Sequence, residues 1–169
     1  MTSNSECDNA DVVRPGPGWL AAQHILCLSI LVVGPVLRGD SDAAVWWWCR
    51  VSGALLLVLG GVVGVAGVRD LGTNRTPSIE PLPANRLVTS GIYARVRHPL
   101  YVSLIILSVA WALIWCSVEC GVLALVLGMV LHGKAVREEA CMRWRHADYE
   151  TYQQRVPRYI PKIHHGRRI

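Results

Sequence analysis

The chain has 169 residues, a formal net charge of +5 and a hydrophobic content of 52%. Charged residues make up 17%, below the roughly 25% of soluble domains, and the mean hydropathy is +0.33. These values argue against an ordinary soluble domain and predict a single membrane domain over residues 1–169. The basic charge lies beside hydrophobic segments, so it favours contact with anionic membrane lipids over nucleic-acid binding.

The first predicted membrane helix follows a polar tail at residues 1–18, which lacks the positive start of a secretory signal. The segment Trp19–Leu37 is apolar over a length that can cross a bilayer core about 30 Å thick. Pro35 is expected to kink or end this helix. Gln23 and His24 lie inside it. Polar groups within a membrane helix are candidates for function, although a helix-packing hydrogen bond is the favoured explanation here.

The second predicted membrane helix covers about Ala43–Val68, so residues 19–68 would hold two membrane helices. It begins with Trp46-Trp47-Trp48, which is typical of an interfacial aromatic belt. Gly60 and Gly64 form a small-x-x-x-small pattern that allows close helix packing. The ordinary glycine enrichment of membrane helices explains this pattern equally well.

Two shorter apolar runs, Leu100–Trp115 and Gly121–Leu131, follow a polar connector at Arg69–His98. Connectors longer than about 12–15 residues are often functional. A polar turn separates the two runs, which predicts a helical hairpin. Its second arm is expected to extend past Lys134.

The distribution of basic residues predicts the orientation. The connector and the chain from Lys134 onward, including a basic tail at residues 162–169, are rich in Lys and Arg, whereas the turns Arg38–Asp42 and Cys116–Glu119 contain one arginine between them. The positive-inside rule therefore places the connector and both termini in the cytoplasm. The predicted fold is all-α: a polytopic membrane protein with about four transmembrane helices and a cytoplasmic C-terminal helical segment.

The hairpin brings two polar clusters, Gly91–Tyr101 and Lys134–Glu139, to the same membrane face. Pro99 suits the first turn of a helix. The free N–H groups of that turn, next to His98, attract anions. An ordinary helix cap with solvated arginines explains the first cluster equally well.

The second cluster pairs a cation with two carboxylates. Lys134 lies four residues before Glu138 on the same helix face. A solvated ion pair is the more common explanation of such spacing. Because neighbouring helical residues point about 100° apart, only one of Glu138 and Glu139 is expected to face a pocket squarely.

Four segments carry a resemblance to a known family. They are Leu87-Val88-Thr89-Ser90-Gly91-x-Tyr93, Arg97-His98-Pro99-x-Tyr101, Glu138-Glu139 and Tyr149-x-x-Tyr152-x-x-x-Val156-Pro157-Arg158. Together, and in this order, they resemble the isoprenylcysteine carboxyl methyltransferase family, which is related to the phospholipid N-methyltransferases. The resemblance covers roughly residues 71–161.

The resemblance implies a methyltransferase that uses S-adenosylmethionine and releases S-adenosylhomocysteine. The cofactor would lie in a cytoplasmic pocket built from residues 69–161, which hold the connector, the hairpin and the C-terminal region. The resemblance gives catalytic roles to Lys134, Glu138 and His98. The cofactor-binding residues that it implies are Leu87, Val88, Tyr93, His98, Pro99, Leu100, Tyr101, Glu138 and Glu139. No metal is expected, because the sequence shows no cluster of metal ligands.

This chain departs from the family pattern at three places. Lys134 stands where the family usually has an arginine that is linked to the substrate carboxylate. Lysine keeps the positive charge but lacks the two parallel N–H donors with which a guanidinium binds a carboxylate. Arg145-His146 replaces a usual Phe-Gly, and Ser103 replaces a common glycine. The departures bear on substrate identity more than on cofactor binding.

The acceptor implied is a lipophilic molecule that reaches the site from the bilayer, with a prenylcysteine-type carboxylate as the family's own example. Phospholipid or small-amine N-methylation is the alternative. A carboxylate nucleophile needs no general base, whereas an amine would have to give a proton to His98 or a glutamate. More distant alternatives are a nicotinamide-dependent membrane reductase and a non-enzymatic membrane scaffold. The sequence indicates no oligomeric state.

Overall fold

The computed structural model describes residues 17–72 and 87–161. The expectations for most of the N-terminal tail, the middle of the connector and the basic tail lie outside these ranges. The described residues form helices and no strand, so the all-α prediction is confirmed. The elements are α1 (Pro17–Val36), α2 (Ala43–Leu71), a 3₁₀ turn (Gly91–Ala94), α3 (Pro99–Ile114), α4 (Val118–Arg145) and α5 (Tyr149–Arg155).

Three of these helices, α1, α2 and α4, are long and apolar enough to cross a membrane, judged by length and composition. The third apolar run that the sequence predicts as a membrane helix forms α3, which is apolar but has 16 residues. At 1.5 Å per residue it is about 24 Å long, short of a full bilayer core. The apolar run at 121–131 lies in the first half of the 28-residue helix α4, and the predicted extension of this helix past Lys134 is confirmed.

The glycines of α2 form the surface on which α3 packs. Gly53 and Gly60 are buried, and a Cβ atom at Gly53 would lie 2.8 Å from the carbonyl oxygen of Ala110. The Ser103 hydroxyl donates to the carbonyl oxygen of Gly60 at 2.7 Å, and a Cβ atom at Gly64 would lie 2.6 Å from that hydroxyl. The Gly60–Gly64 pattern is therefore a close-packing surface, and Ser103 is accommodated in it by a hydrogen bond.

The turn between α3 and α4 is tight. Cys116 has a positive φ of 48°, and the Ser117 hydroxyl caps α4 by accepting from the backbone N–H of Cys120 at 3.2 Å. Beyond the turn, Leu127 and Leu131 of α4 are fully buried in a cluster that includes Ile30 of α1. This packing fixes α4 against α1, and so positions the polar second half of α4.

Candidate functional site

The candidate site lies where the end of the connector, the start of α3, the second half of α4 and the C-terminal segment meet. The backbone N–H groups of Arg97 and His98 donate to the carbonyl oxygens of Pro157 and Arg158, at 3.0 and 3.2 Å. Pro99 occupies the first turn of α3, as its missing N–H predicts. The His98 side chain makes no capping hydrogen bond, which leaves its imidazole for other contacts.

Glu139 is the buried centre of this junction, with a side chain that is 0% exposed. Its Oε1 atom accepts from Arg158 Nε at 2.9 Å and lies 3.0 Å from His98 Nε2. Its Oε2 atom accepts from Arg158 Nη2 at 2.7 Å and lies 3.1 Å from Arg97 Nη1. A buried carboxylate needs this degree of pairing. Glu139 therefore ties the connector, α4 and the C-terminal segment together.

Glu138 has a different environment, with a side chain that is 24% exposed. The Tyr101 hydroxyl donates to Glu138 Oε1 at 2.5 Å, and His98 Nδ1 lies 3.8 Å from Oε2. The rings of His98 and Tyr101 stack, with centroids 5.1 Å apart and an interplanar angle of 12°. Of the two adjacent glutamates, Glu138 presents a partly accessible carboxylate beside two aromatic rings.

Lys134 is 6% exposed. Its Nζ atom donates to Gln23 Oε1 of α1 at 3.2 Å and lies 5.3 Å from the centroid of the Tyr101 ring. Among the described ion pairs, none joins Lys134 to Glu138. The spacing predicts an i,i+4 ion pair between Lys134 and Glu138. This prediction is wrong, because the structure does not form that pair.

A short loop at the end of the connector is fixed from two sides. Gly91 has φ of +61°, and the backbone N–H of Ile92 donates to Asp70 Oδ2 at 2.7 Å. The Tyr152 hydroxyl donates to the carbonyl oxygen of Tyr93 at 2.7 Å. Burial, followed by the nearby charges of Asp70 and Glu138, raises the pKa of Tyr93 to about 12. The Tyr93 ring is thus a neutral, buried part of the site.

The remaining predicted cofactor residues lie on the connector and at the start of α3. Leu87 packs against the cluster formed by Tyr149, Tyr152 and Val156, and Val88 is partly buried. Pro99 and Leu100 lie against Gly67 of α2.

Three side chains outside the predicted site join it in the structure. Arg97 and Arg158 pair with Glu139, and both lie in the segments that carry the family resemblance. Gln23 contacts Lys134. Its position inside an apolar helix was the one available signal, and its partner is 111 residues away. His24, the neighbouring polar residue, is exposed and bonds within its own helix to the carbonyl oxygen of Leu20.

Comparison with known proteins identifies a matching family and several related proteins. The family described as phospholipid methyltransferase matches residues 48–148. The human protein-S-isoprenylcysteine O-methyltransferase is 32% identical over 120 residues, and the mouse protein is 31% identical over the same length. Each alignment covers 69% of this chain and 42% of the relative. The chain thus spans less than half the length of these relatives.

A solved structure of a eukaryotic intramembrane isoprenylcysteine carboxyl methyltransferase has a similar fold, with a TM-score of 0.62 at 24% sequence identity. The similarity covers 90% of this chain and 55% of that one. It agrees with the apolar helices in marking this chain as an integral membrane protein. The family match covers well over half of the chain and confirms the resemblance that the sequence motifs indicate. The chain belongs to the phospholipid methyltransferase family.

Proposed function

We propose that the protein is an S-adenosylmethionine-dependent methyltransferase that acts on a lipophilic acceptor at the membrane. The observation that carries this proposal is the partly exposed Glu138 carboxylate, held by the Tyr101 hydroxyl beside the stacked rings of His98 and Tyr101. Family membership and the names of the relatives support methyl transfer.

The side chains at the site fit a cationic nucleoside cofactor. Glu138 supplies a carboxylate for its positive charge, and Tyr93 and Tyr101 supply aromatic rings of the kind that attract a sulfonium. Pro99 and Leu100 would shape the wall between α3 and α2, and Leu87 and Val88 the wall formed by the connector. Bound there, S-adenosylmethionine supplies a methyl group activated for displacement.

Glu139 acts in this proposal as a positioning residue and not as a direct cofactor ligand. Its carboxylate is fully buried and already paired with Arg97, Arg158 and His98. By holding the C-terminal segment against the start of α3, it orients His98 on one side and Glu138 on the other. Correct orientation of reacting groups is worth up to about 7–11 kcal/mol in a transfer reaction of this kind.

We further propose that the site faces the cytoplasm. The basic residues of the connector and of the C-terminal half support this orientation under the positive-inside rule. The acceptor would then enter sideways from the cytoplasmic leaflet.

The proposed acceptor group is a carboxylate, with transfer to oxygen. Lys134, buried beside Tyr101, supplies positive charge that attracts a carboxylate and repels a protonated amine. The alternative, N-methylation of a phospholipid or small amine, is favoured by the family's own description. Base treatment of the labelled product separates the two, because a methyl ester is hydrolysed and an N-methyl group is retained.

Calorimetry with the purified protein in detergent tests the proposal. We expect S-adenosylmethionine to bind the wild-type protein and to bind Glu138→Ala at least about 10-fold more weakly, because a charge-assisted contact to the cationic cofactor is lost. Glu150→Ala is the matched control, since Glu150 is an exposed glutamate on α5. Absence of binding to the wild-type protein would overturn the proposal.

A further inference from the structure

Lys134 is a buried lysine that makes no ion pair with any described carboxylate. It is 6% exposed. Among the described residues no carboxylate oxygen lies within 4.0 Å of its Nζ atom, since the ion pairs of the site are formed by Arg97, His98 and Arg158. An ammonium group removed from water without an anion is costly. The protein bears this cost at a position next to its candidate site.

The described hydrogen-bond partner of Lys134 is neutral. Nζ donates to Gln23 Oε1 at 3.2 Å. Because an ammonium group has no acceptor, the oxygen of the Gln23 amide has to face Lys134. The Nε2 atom of Gln23 then keeps two N–H donors, and no described hydrogen bond uses them. Two donor groups, one charged and one neutral, therefore lie side by side.

Lysine alone is a point donor on a flexible stem, whereas a carboxylate is bound best by two donors in a fixed arrangement. Gln23 provides what Lys134 lacks, because its oxygen fixes the ammonium and its amide nitrogen offers a second N–H. It does so from α1, which lies outside the segment that matches the family.

We infer that Gln23 and Lys134 together form a two-donor site for a carboxylate group, and that Gln23 determines how tightly this group is held. The inference rests on the proposed methyltransferase function. Two ligands could bring the carboxylate: the acceptor, or the amino-acid end of the cofactor. We expect the acceptor, because Gln23 lies on α1, one of the helices apolar enough to cross a membrane, and a lipophilic acceptor would reach the pair from the bilayer.

The experiment compares Gln23→Leu and Gln23→Glu with the wild-type protein in detergent. The probes are S-adenosylhomocysteine for the cofactor arm, and N-acetyl-S-farnesylcysteine and its carboxamide analogue for the acceptor arm. His24→Leu, an exposed polar residue beside Gln23 on the same helix, is the matched control. Monodispersity of each variant in gel filtration shows that it is folded.

We expect Gln23→Leu to raise the KM for the farnesylcysteine about 10-fold or more, with kcat changed less than about twofold, because one donor to a charged group is lost. Gln23→Glu would place a carboxylate of the protein against Lys134 and raise the KM further. Its defect should shrink as the pH falls and the new carboxyl is protonated, which a merely structural role of Gln23 would not produce.

If the Kd of S-adenosylhomocysteine rises in both variants instead, the pair binds the carboxylate of the cofactor, and the inference stands with that ligand. Unchanged KM and Kd in both folded variants, alongside an active wild-type protein, would overturn the inference and leave the methyltransferase proposal intact. A wild-type protein that binds no cofactor would overturn both.

Discussion

Arg158 binds the carboxylate of Glu139 through two hydrogen bonds, from Nε to Oε1 at 2.9 Å and from Nη2 to Oε2 at 2.7 Å. This is the bidentate arrangement in which a guanidinium matches a carboxylate. It joins α4 to the segment that follows α5, and so holds the C-terminal part of the chain against His98. The hydrogen bonds that Arg158 donates to Glu139 raise the pKa of Arg158, because they stabilise the charged guanidinium.

Replacement of Arg158 should release the C-terminal segment. We expect Arg158→Leu to lower the melting temperature in detergent and to expose residues 146–161 to limited proteolysis, because a partner of a buried carboxylate is removed. Arg155→Leu changes an exposed arginine nearby and should leave both properties unchanged. Equal behaviour of the two variants would contradict the role given to Arg158.

The same substitution should affect different properties at the two adjacent glutamates: stability at Glu139 and cofactor binding at Glu138. Glu139→Gln is expected to cost about 3–5 kcal/mol of stability, since it leaves Arg97 and Arg158 without their anion. Glu138→Gln should change stability little and weaken cofactor binding. Melting curves and calorimetry on both variants check this pair of outcomes, and a similar loss of stability in both would be inconsistent with the geometry.

Gly91 should tolerate no side chain. Its φ of +61° strains an L-residue, and a Cβ atom would collide with Asp70 Oδ2. Gly91→Ala is expected to destabilise the protein by about 1–3 kcal/mol and to reduce cofactor binding. Gly72→Ala is the control, because Gly72 has a similar φ of 55° with open space around it. The excess effect at Gly91 measures the contact with Asp70.

An added methyl group should weaken the packing of α2 against α3 only on the side of α2 that faces α3. Gly53→Ala would place a methyl group 2.8 Å from the backbone oxygen of Ala110, so the two helices would have to separate. We expect a clear fall in melting temperature. Gly61→Ala adds the same methyl group to the same helix where nothing lies within 4 Å, and it should be neutral or slightly stabilising.

Stability should fall at alkaline pH. Burial raises the pKa of Tyr149 from 10.0 to about 12, with a smaller contribution from the charge of Glu139. The folded state therefore holds this proton more tightly than the unfolded state. The resulting stabilisation is fully present below pH 10 and is lost as the pH rises towards 12. Tyr149→Phe should flatten the melting temperature over this pH window. An unchanged slope would show that other groups dominate it.

The helices could be predicted from the sequence because each one contains a hydrophobic run of neighbouring residues, which can be recognised without knowing the rest of the fold. Pro35 ends α1 one residue later, at Val36, and Pro99 begins α3. The full length of α4 was harder to predict. The apolar run in its first half is short, and its polar second half continues as a helix because it packs against other parts of the chain.

The sequence could predict those site residues that lie within short continuous motifs, but not the contacts between distant parts of the chain. His98, Tyr101 and Glu138 come together as the hairpin predicts. The different environments of Glu138 and Glu139 depend on Arg97 and Arg158, whose positions no local pattern specifies. The contact between Gln23 and Lys134 depends on how α1 packs against α4, which hydrophobic periodicity does not reveal.

The position of Arg158 in the chain has a consequence for biosynthesis. Synthesis proceeds from the N-terminus, so Glu139 enters α4 before Arg158 has been made. Until then a carboxylate that is fully buried in the finished protein lacks its bidentate partner. Chains halted between these two residues would therefore remain loosely folded at one end and be open to proteolytic disposal. We therefore expect a newly made chain to gain protection at this end only after Arg158 has been added.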